Sequence, residues 1–245
     1  LKWGTEFFFP PRCGGCNCAL TLHTEMFCTR CHQGLFPLHR DDCCRLCAAP
    51  LETFETKALT RCVTCWEQGL GLTEVSACYA YMGSVAKMLH RWKYRGDQRA
   101  GRLLCLLLEE SIRARLEQFA SFDWLIPVPC STSALRKRGF SQSWELCKVV
   151  KRVFRAADPH SVLLCRPDVL RVKTKNAAQV GKGRSERRNS LSDAFELAPR
   201  WREAAKNKKI LLVDDVITTG ATFSACAKQF PKTAEVHGLS LFRTL

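Results

Sequence analysis

Residues 209–222, KILLVDDVITTGAT, restrict the fold more than any other stretch of this chain. Residues 210–213 are apolar and partly β-branched, a run of the length expected for a strand buried in a parallel sheet. Asp214 and Asp215 follow and put two carboxylates at the strand's C-terminal end. In open α/β sheets that edge is where ligands bind. Thr218, Thr219, Gly220, Ala221 and Thr222 come next and run into the helical pattern of residues 223–229. A glycine lets backbone amides close around an anion, threonine hydroxyls add donors, and a helix N-terminus adds positive dipole. The segment thus predicts a phosphate cradle beside two acids, a pairing that suits a sugar phosphate. The plainer alternative is a polar turn with Thr222 as an ordinary helix cap.

Cysteine is the second constraint. The chain has 16, and eight of them form four Cys-x-x-Cys pairs: Cys13/Cys16, Cys28/Cys31, Cys44/Cys47 and Cys62/Cys65. Such a turn offers two thiolates to one ion, and two turns complete a tetrahedral site. The short intervals pair the first with the second and the third with the fourth, which predicts two structural zinc ions. Metal would supply folding energy that a thin core cannot. Cys18 and Cys43 are spare, and the two-residue spacing favours Cys44 over Cys43 as the partner of Cys47. His23, His32 and His39 are read as surface residues.

The remaining chain reads as one α/β domain. Residues 74–82 alternate like a strand, and residues 84–94 carry Val85, Met88, Leu89 and Trp92 on one helical face, closed by Gly96. Residues 98–119 read as a second helix, 124–128 as a short strand, 162–164 as another, and 234–242 as the last. Residues 131–140, with Arg136, Lys137 and Arg138, read as a cationic loop before a helix from Ser141. Residues 172–188 are polar, glycine-containing and basic, the composition of a lid over a charged ligand.

The net charge of +15 turns attention to polyanionic partners. Lys87, Arg91, Lys93, Arg95, Arg99 and Arg102 stand against Asp97 alone and predict a basic patch. No apolar run approaches the ~18 residues of a membrane span. The N-terminal stretch is too short and broken for a signal peptide. Paired rather than scattered cysteines suit a reducing cytoplasm.

Residues 213–222 resemble the phosphoribosyl diphosphate signature of type I phosphoribosyltransferases. Taken with the cysteine pairs, KYRGD at 93–97, PVP at 127–129, RKRGFSQ at 136–142, Gln179 with 186–189 and Ala194-Phe195, and Arg243-Thr244-Leu245 at the end, the order resembles the ComF family and its GntX branch. The resemblance spans nearly the whole chain. It implies a double zinc-ribbon module over residues 1–73 and, over 74–245, a type I phosphoribosyltransferase-like, Rossmann-like parallel sheet flanked by helices. It also implies binding of 5-phosphoribosyl 1-diphosphate with magnesium. Asp214 and Asp215 would act on the ribose hydroxyls, and Thr218, Thr219, Gly220, Ala221 and Thr222 would hold the 5-phosphate. Arg138 would lie near the diphosphate, and Arg187 would belong to a closing lid over 179–189. Where the family usually has Asn, this chain has Ser141, and Gly181-Lys182-Gly183-Arg184 replaces the usual Gly-Leu-Ser of the lid.

Three readings follow. The first is a competence-type protein of DNA uptake that binds the sugar diphosphate and single-stranded DNA. The DNA would lie along Lys93, Arg95, Arg136, Lys137, Lys182, Arg184 and Arg188, with Trp92, Tyr94, Phe140 and Trp144 for stacking. The second is an active transferase with a nitrogenous acceptor. The third is a sugar-phosphate-sensing module that docks an uptake helicase.

Overall fold

The computed structural model describes residues 11–20, 26–51, 60–119, 122–173 and 193–245. The cysteine-rich segment builds little regular structure. Among the described residues it has two short α-helices, α1 (Thr29–Gln33) and α2 (Val63–Gln68), which start directly after Cys28 and Cys62. One helical turn then separates each cysteine from its pair partner, Cys31 or Cys65, so both thiols share a face.

The sheet begins with β1 (Glu74–Ala80) and continues through α3 (Gly83–Arg95), α4 (Gln98–Arg113) and β2 (Trp124–Pro127). Next come α5 (Thr132–Arg138), α6 (Gln142–Ala157) and the two-residue β3 (Leu164–Cys165). A separate antiparallel ladder pairs β4 (Leu170–Val172) with β5 (Phe195–Leu197). The chain closes with β6 (Lys209–Ile217), α7 (Ala221–Ala227) and β7 (Glu235–Arg243). The main sheet has the order β1-β7-β6-β2-β3, and every pair in it is parallel. Parallel neighbours need crossovers, and the helices supply them.

β6 sits at the centre, paired on both sides. Its residues Ile210, Leu211, Leu212 and Val213 are all at most 1% exposed, as a strand covered on two faces requires. One core holds Leu211 and Val213 with Met88, Leu104 and Leu146 of α3, α4 and α6. The other holds Ile210 and Leu212 with Phe223 and Cys226 of α7. The cysteine-rich segment covers the β1 edge: Leu38 N–H donates to the Cys78 carbonyl and Ala80 N–H to the Phe36 carbonyl, each at 2.9 Å. That removes an exposed strand edge.

Several expectations change in detail. The strand expected to stop at residue 213 runs on to Ile217, so Asp214 and Asp215 lie within it. Pairing with β7 through Ile217↔Arg243 keeps the backbone extended past the carboxylates. Residues 131–140 are not a loop: Arg136, Lys137 and Arg138 form the last turn of α5, where cations suit the dipole. The second long helix ends at Arg113, and a 3₁₀ turn (Leu116–Phe119) takes up the rest. The strand expected at 162–164 is Leu164–Cys165. The helix expected over 223–229 spans Ala221–Ala227 and is preceded by Gly220, not capped by Thr222.

Candidate functional site

β6 carries Asp214 and Asp215 to the C-terminal side of the sheet, and two helices meet them there. Ser143, in the first turn of α6, donates its hydroxyl to Asp214 Oδ1 at 3.0 Å. The Asp215 amide donates to the same oxygen at 2.9 Å. Lys93 Nζ, in the last turn of α3, lies 2.7 Å from Asp215 Oδ1, with the two side chains only 18% and 10% exposed. Desolvation, helped by the charge of Asp215, pushes Asp214 up to about 7 against the Ser143 and amide hydrogen bonds.

Other distant motifs converge on the same place. The Arg138 guanidinium lies over the Tyr94 ring at 5.2 Å and donates to Gln142 Oε1 at 3.0 Å. Trp92 and Phe140 pack with ring centroids 5.6 Å apart. KYRGD at 93–97 and RKRGFSQ at 136–142, well separated in the chain, therefore share one cluster with the carboxylates. Ser141 caps α6 by accepting from the Trp144 amide at 3.3 Å. Serine and asparagine are close equivalents at a helix cap.

Beyond β6 the chain turns through Thr218 and Thr219, both exposed, to Gly220. Gly220 adopts the left-handed region at φ 81, which glycine reaches without strain. The Ser224 amide donates to the Gly220 carbonyl at 2.9 Å and starts α7.

A cleft of about 920 Å³ opens beside this region. Residues 127–132, at the end of β2 and beyond it, line it together with Phe140, Trp144, Leu170, Arg171 and Lys173. The carboxylates themselves do not line it; it is linked to them through Pro127, the register partner of Val213, and through α6, whose Ser143 reaches Asp214. Sequence reasoning found neither the cleft nor Ser143, which lies 71 residues from its partner with no local signal.

The basic patch is redistributed. Lys93, expected along DNA, is engaged by Asp215. Arg91 pairs with Asp97 at 3.0 Å and donates to the Gly15 carbonyl at 3.1 Å, while Arg99 donates to the Arg12 carbonyl. Lys87, Arg95, Arg102, Arg136 and Lys137 are exposed. Trp92 is 2% exposed and cannot stack on a base; Tyr94 at 53% can. Arg187, Lys182, Arg184 and Arg188, with the whole lid expected at 179–189, lie outside the described residues.

The eight paired cysteines gather into two groups, Cys13/Cys16/Cys28/Cys31 and Cys44/Cys47/Cys62/Cys65, with the sulfurs of each within 4.8 Å of one another. A tetrahedral ion with Zn–S bonds of about 2.3 Å holds its sulfurs roughly 3.8 Å apart. Cys16 and Cys28 are 3.7 Å apart, and so are Cys47 and Cys62. The donor set fits a closed four-thiolate site. Hydrogen bonding from Cys47 brings Cys44 down to about 4 despite its burial. Burial alone would raise Cys13, but the amides of Cys28, Cys16 and Gly15 outweigh it and bring it to about 6. Cys31, Cys47 and Cys65 are pushed the other way by burial and by their neighbouring thiols, so within each group one thiol ionises ahead of the rest. Neither Cys18 nor Cys43 joins a group.

A parallel sheet whose central strand delivers two carboxylates and then a Thr-Thr-Gly turn into a helix is the phosphoribosyltransferase type of α/β fold. Here it is joined to two four-cysteine groups that could hold metal ions. No protein-family model matches the chain. It is 27% identical over 229 residues to Competence protein F of Haemophilus influenzae, covering 92% of this chain and 93% of that protein. Competence protein ComFC of Bacillus subtilis is 27% identical over 259 residues, covering 100% of this chain and 90% of the relative. A DNA utilization protein, YhgH, of Escherichia coli O6:H1 is 27% identical over 245 residues, covering 96% and 98%. With the motifs in their order, these full-length likenesses bear out the resemblance of the chain to the ComF family. Among solved structures, a hypoxanthine phosphoribosyl transferase of Trypanosoma cruzi matches at 13% identity and a TM-score of 0.35, over 58% of this chain and 64% of that one. That likeness is too slight to lean on, and the fold stands on its own topology.

Proposed function

We propose that this protein is a ComF-type competence factor that binds 5-phosphoribosyl 1-diphosphate at the end of β6. The observation that carries the reading is the convergence of Ser143 and Lys93 on consecutive carboxylates just ahead of the Thr218–Gly220 turn. The carboxylates are acceptors for ribose hydroxyls, and the turn's amides and hydroxyls are donors for the 5-phosphate. Arg138, held by Tyr94 and Gln142, would meet the diphosphate. Magnesium arrives as part of that ligand, since this ion takes one or two carboxylates and completes its shell with phosphates and water; Asp214, partly exposed, suits it. When bound it would neutralise diphosphate charge. The two cysteine groups each hold a structural zinc, closed to substrate. Calorimetry with the sugar diphosphate and magnesium tests the site. Wild type should bind, and Asp214→Asn with Asp215→Asn should not; retained binding by the double variant removes the assignment.

Single-stranded DNA is the second ligand of this reading, and the proposed place of action is the cytoplasm. Arg95, Arg136 and Lys137 are exposed beside Tyr94, and Lys182, Arg184 and Arg188 extend the basic set in sequence. Phosphate contacts of this kind lose affinity steeply with salt. A flat salt profile for a single-stranded oligonucleotide excludes them. Among the described residues no helix is long and apolar enough to cross a membrane.

The cleft supports a second reading, transfer of the phosphoribosyl group to a nitrogenous acceptor. Its volume falls in the range of small-molecule sites, and Phe140, Trp144 and Leu170 give it apolar walls. Nucleophilic attack at the anomeric carbon would release diphosphate, with cationic groups stabilising the departing charge. Assay of released diphosphate against a panel of bases decides it; release with no base above the blank rate ends this reading.

A further inference from the structure

The anion-binding turn is poor in local support. Gly220 precedes a helix of only seven residues and has no side chain to cap it. Within the turn, the Ala221 amide reaches Thr219 Oγ1 at 3.4 Å, a long bond. Something else must hold its amides in place. The structure shows what does. Leu70, five residues past Cys65, packs against both the cysteine core (Cys44, Leu46, Cys47, Leu51 and Cys65) and the sheet core that contains Phe223 of α7. Its Cδ1 lies 2.6 Å from the position that a Cβ on Gly220 would occupy. Glycines at positive φ, Gly69 and Gly71, flank it.

The second cysteine group also grips the turn from its other side. Arg243 Nε donates to the Cys47 carbonyl at 2.8 Å. The next residue, Thr244, donates its amide to the Ile217 carbonyl at 3.0 Å, one residue before Thr218. The turn is therefore held between Leu70 and the Arg243–Thr244 strap, and both lead back to Cys44/Cys47/Cys62/Cys65.

We propose that Leu70 is a positioning residue for the phosphate turn, and that it makes anion affinity depend on the metal-holding second cysteine group. This rests on the reading of Thr218–Thr222 as the phosphate cradle. Amides already aimed at the anion bind it without the ordering cost that a loose turn would incur. Truncating Leu70 leaves Gly220 free to move, and affinity falls although no ligand contact is removed. Filling the same space restores it: methionine adapts to irregular gaps and nearly conserves the volume.

The test is calorimetry of the full chain with 5-phosphoribosyl 1-diphosphate and magnesium, well below the melting temperature, with metal content measured on each sample. Leu70→Ala should bind about tenfold more weakly than wild type with its metal content unchanged, and Leu70→Met should recover most of the loss. Leu38→Ala is the control. Leu38 is also half-buried against the sheet core but lies on the β1 side, and its loss should cost stability without affinity. Wild-type affinity in Leu70→Ala, or an equal loss in Leu38→Ala, overturns the proposal while the site stands. Absence of binding by wild type overturns both.

Discussion

Asp214 shows how one residue links the sheet to the solution. In the unfolded chain its carboxyl has the ordinary value of 3.8; in the folded protein it rises to about 7. The native state therefore holds a proton across that interval that the unfolded chain has released. The stability tied to this proton is fully present below about pH 4 and is lost as pH rises through about 7. Asp214→Asn keeps an acceptor for Ser143 and the Asp215 amide but carries no charge. It should melt higher than wild type at pH 8, on the order of 3 kcal/mol more stable, with the gap closing by pH 4. A gap that does not vary with pH would disprove the linkage. Lys93 is the reverse case. Lys93→Met leaves Asp215, 7% exposed, without its cation. Removing one member of a buried pair costs about 3 kcal/mol or more, and urea denaturation at pH 8 should show it. An exposed DNA-contacting lysine would cost almost nothing, so the measurement separates the two roles.

Between elements, the α3–α4 contact is the clearest case of packing against propensity. Gly101 in α4 faces Trp92 of α3, and a Cβ there would lie 2.3 Å from the indole nitrogen. Trp92 is 2% exposed and has no room to move. Replacing a helix-interior glycine by alanine normally gains about 1 kcal/mol. Overpacking costs about 1–3 kcal/mol and here outweighs it. Gly101→Ala should lower stability by about 1–2 kcal/mol net in urea titration; a gain would show that the helices separate freely. The same contact orients the end of α3, from which Lys93 and Tyr94 reach Asp215 and Arg138. The apolar face of α3 was legible in the sequence: Val85, Met88, Leu89 and Trp92 recur at helical spacing, and all four are buried. The helix at residues 132–138 was not, because STSALRKR carries no apolar face for periodicity to detect. Its evidence is capping, with Ser131 accepting from the Ala134 amide at 3.2 Å.

Across the whole molecule, the two cysteine groups brace opposite parts of the site. The first is bound to α3 through Arg91, which donates to the Gly14 and Gly15 carbonyls. The second reaches the Thr218–Gly220 turn through Leu70 and Arg243. Elemental analysis should find two zinc ions per chain, and Cys28→Ala should leave one. Strong chelation should lower the thermal midpoint by many degrees, since metal affinity in such modules is folding free energy. An unchanged midpoint after complete stripping would mean that the groups fold without metal.

Sequence alone determined the chemistry that is local. A buried strand followed by Asp-Asp and Thr-Thr-Gly is written in consecutive residues, and the thiol pairs follow from a two-residue spacing that one turn of backbone converts into shared ligands. What spacing could not give is anything that depends on contacts between segments far apart in the chain. That Lys93 belongs to Asp215, that Ser143 reaches Asp214, and that Leu70 stands against Gly220 were decided only when the parallel sheet brought its strand ends and crossover helices to one edge. Charge tells which groups are present, and burial tells which of them face water; the second is a property of the packed fold and has no signature in a run of basic residues.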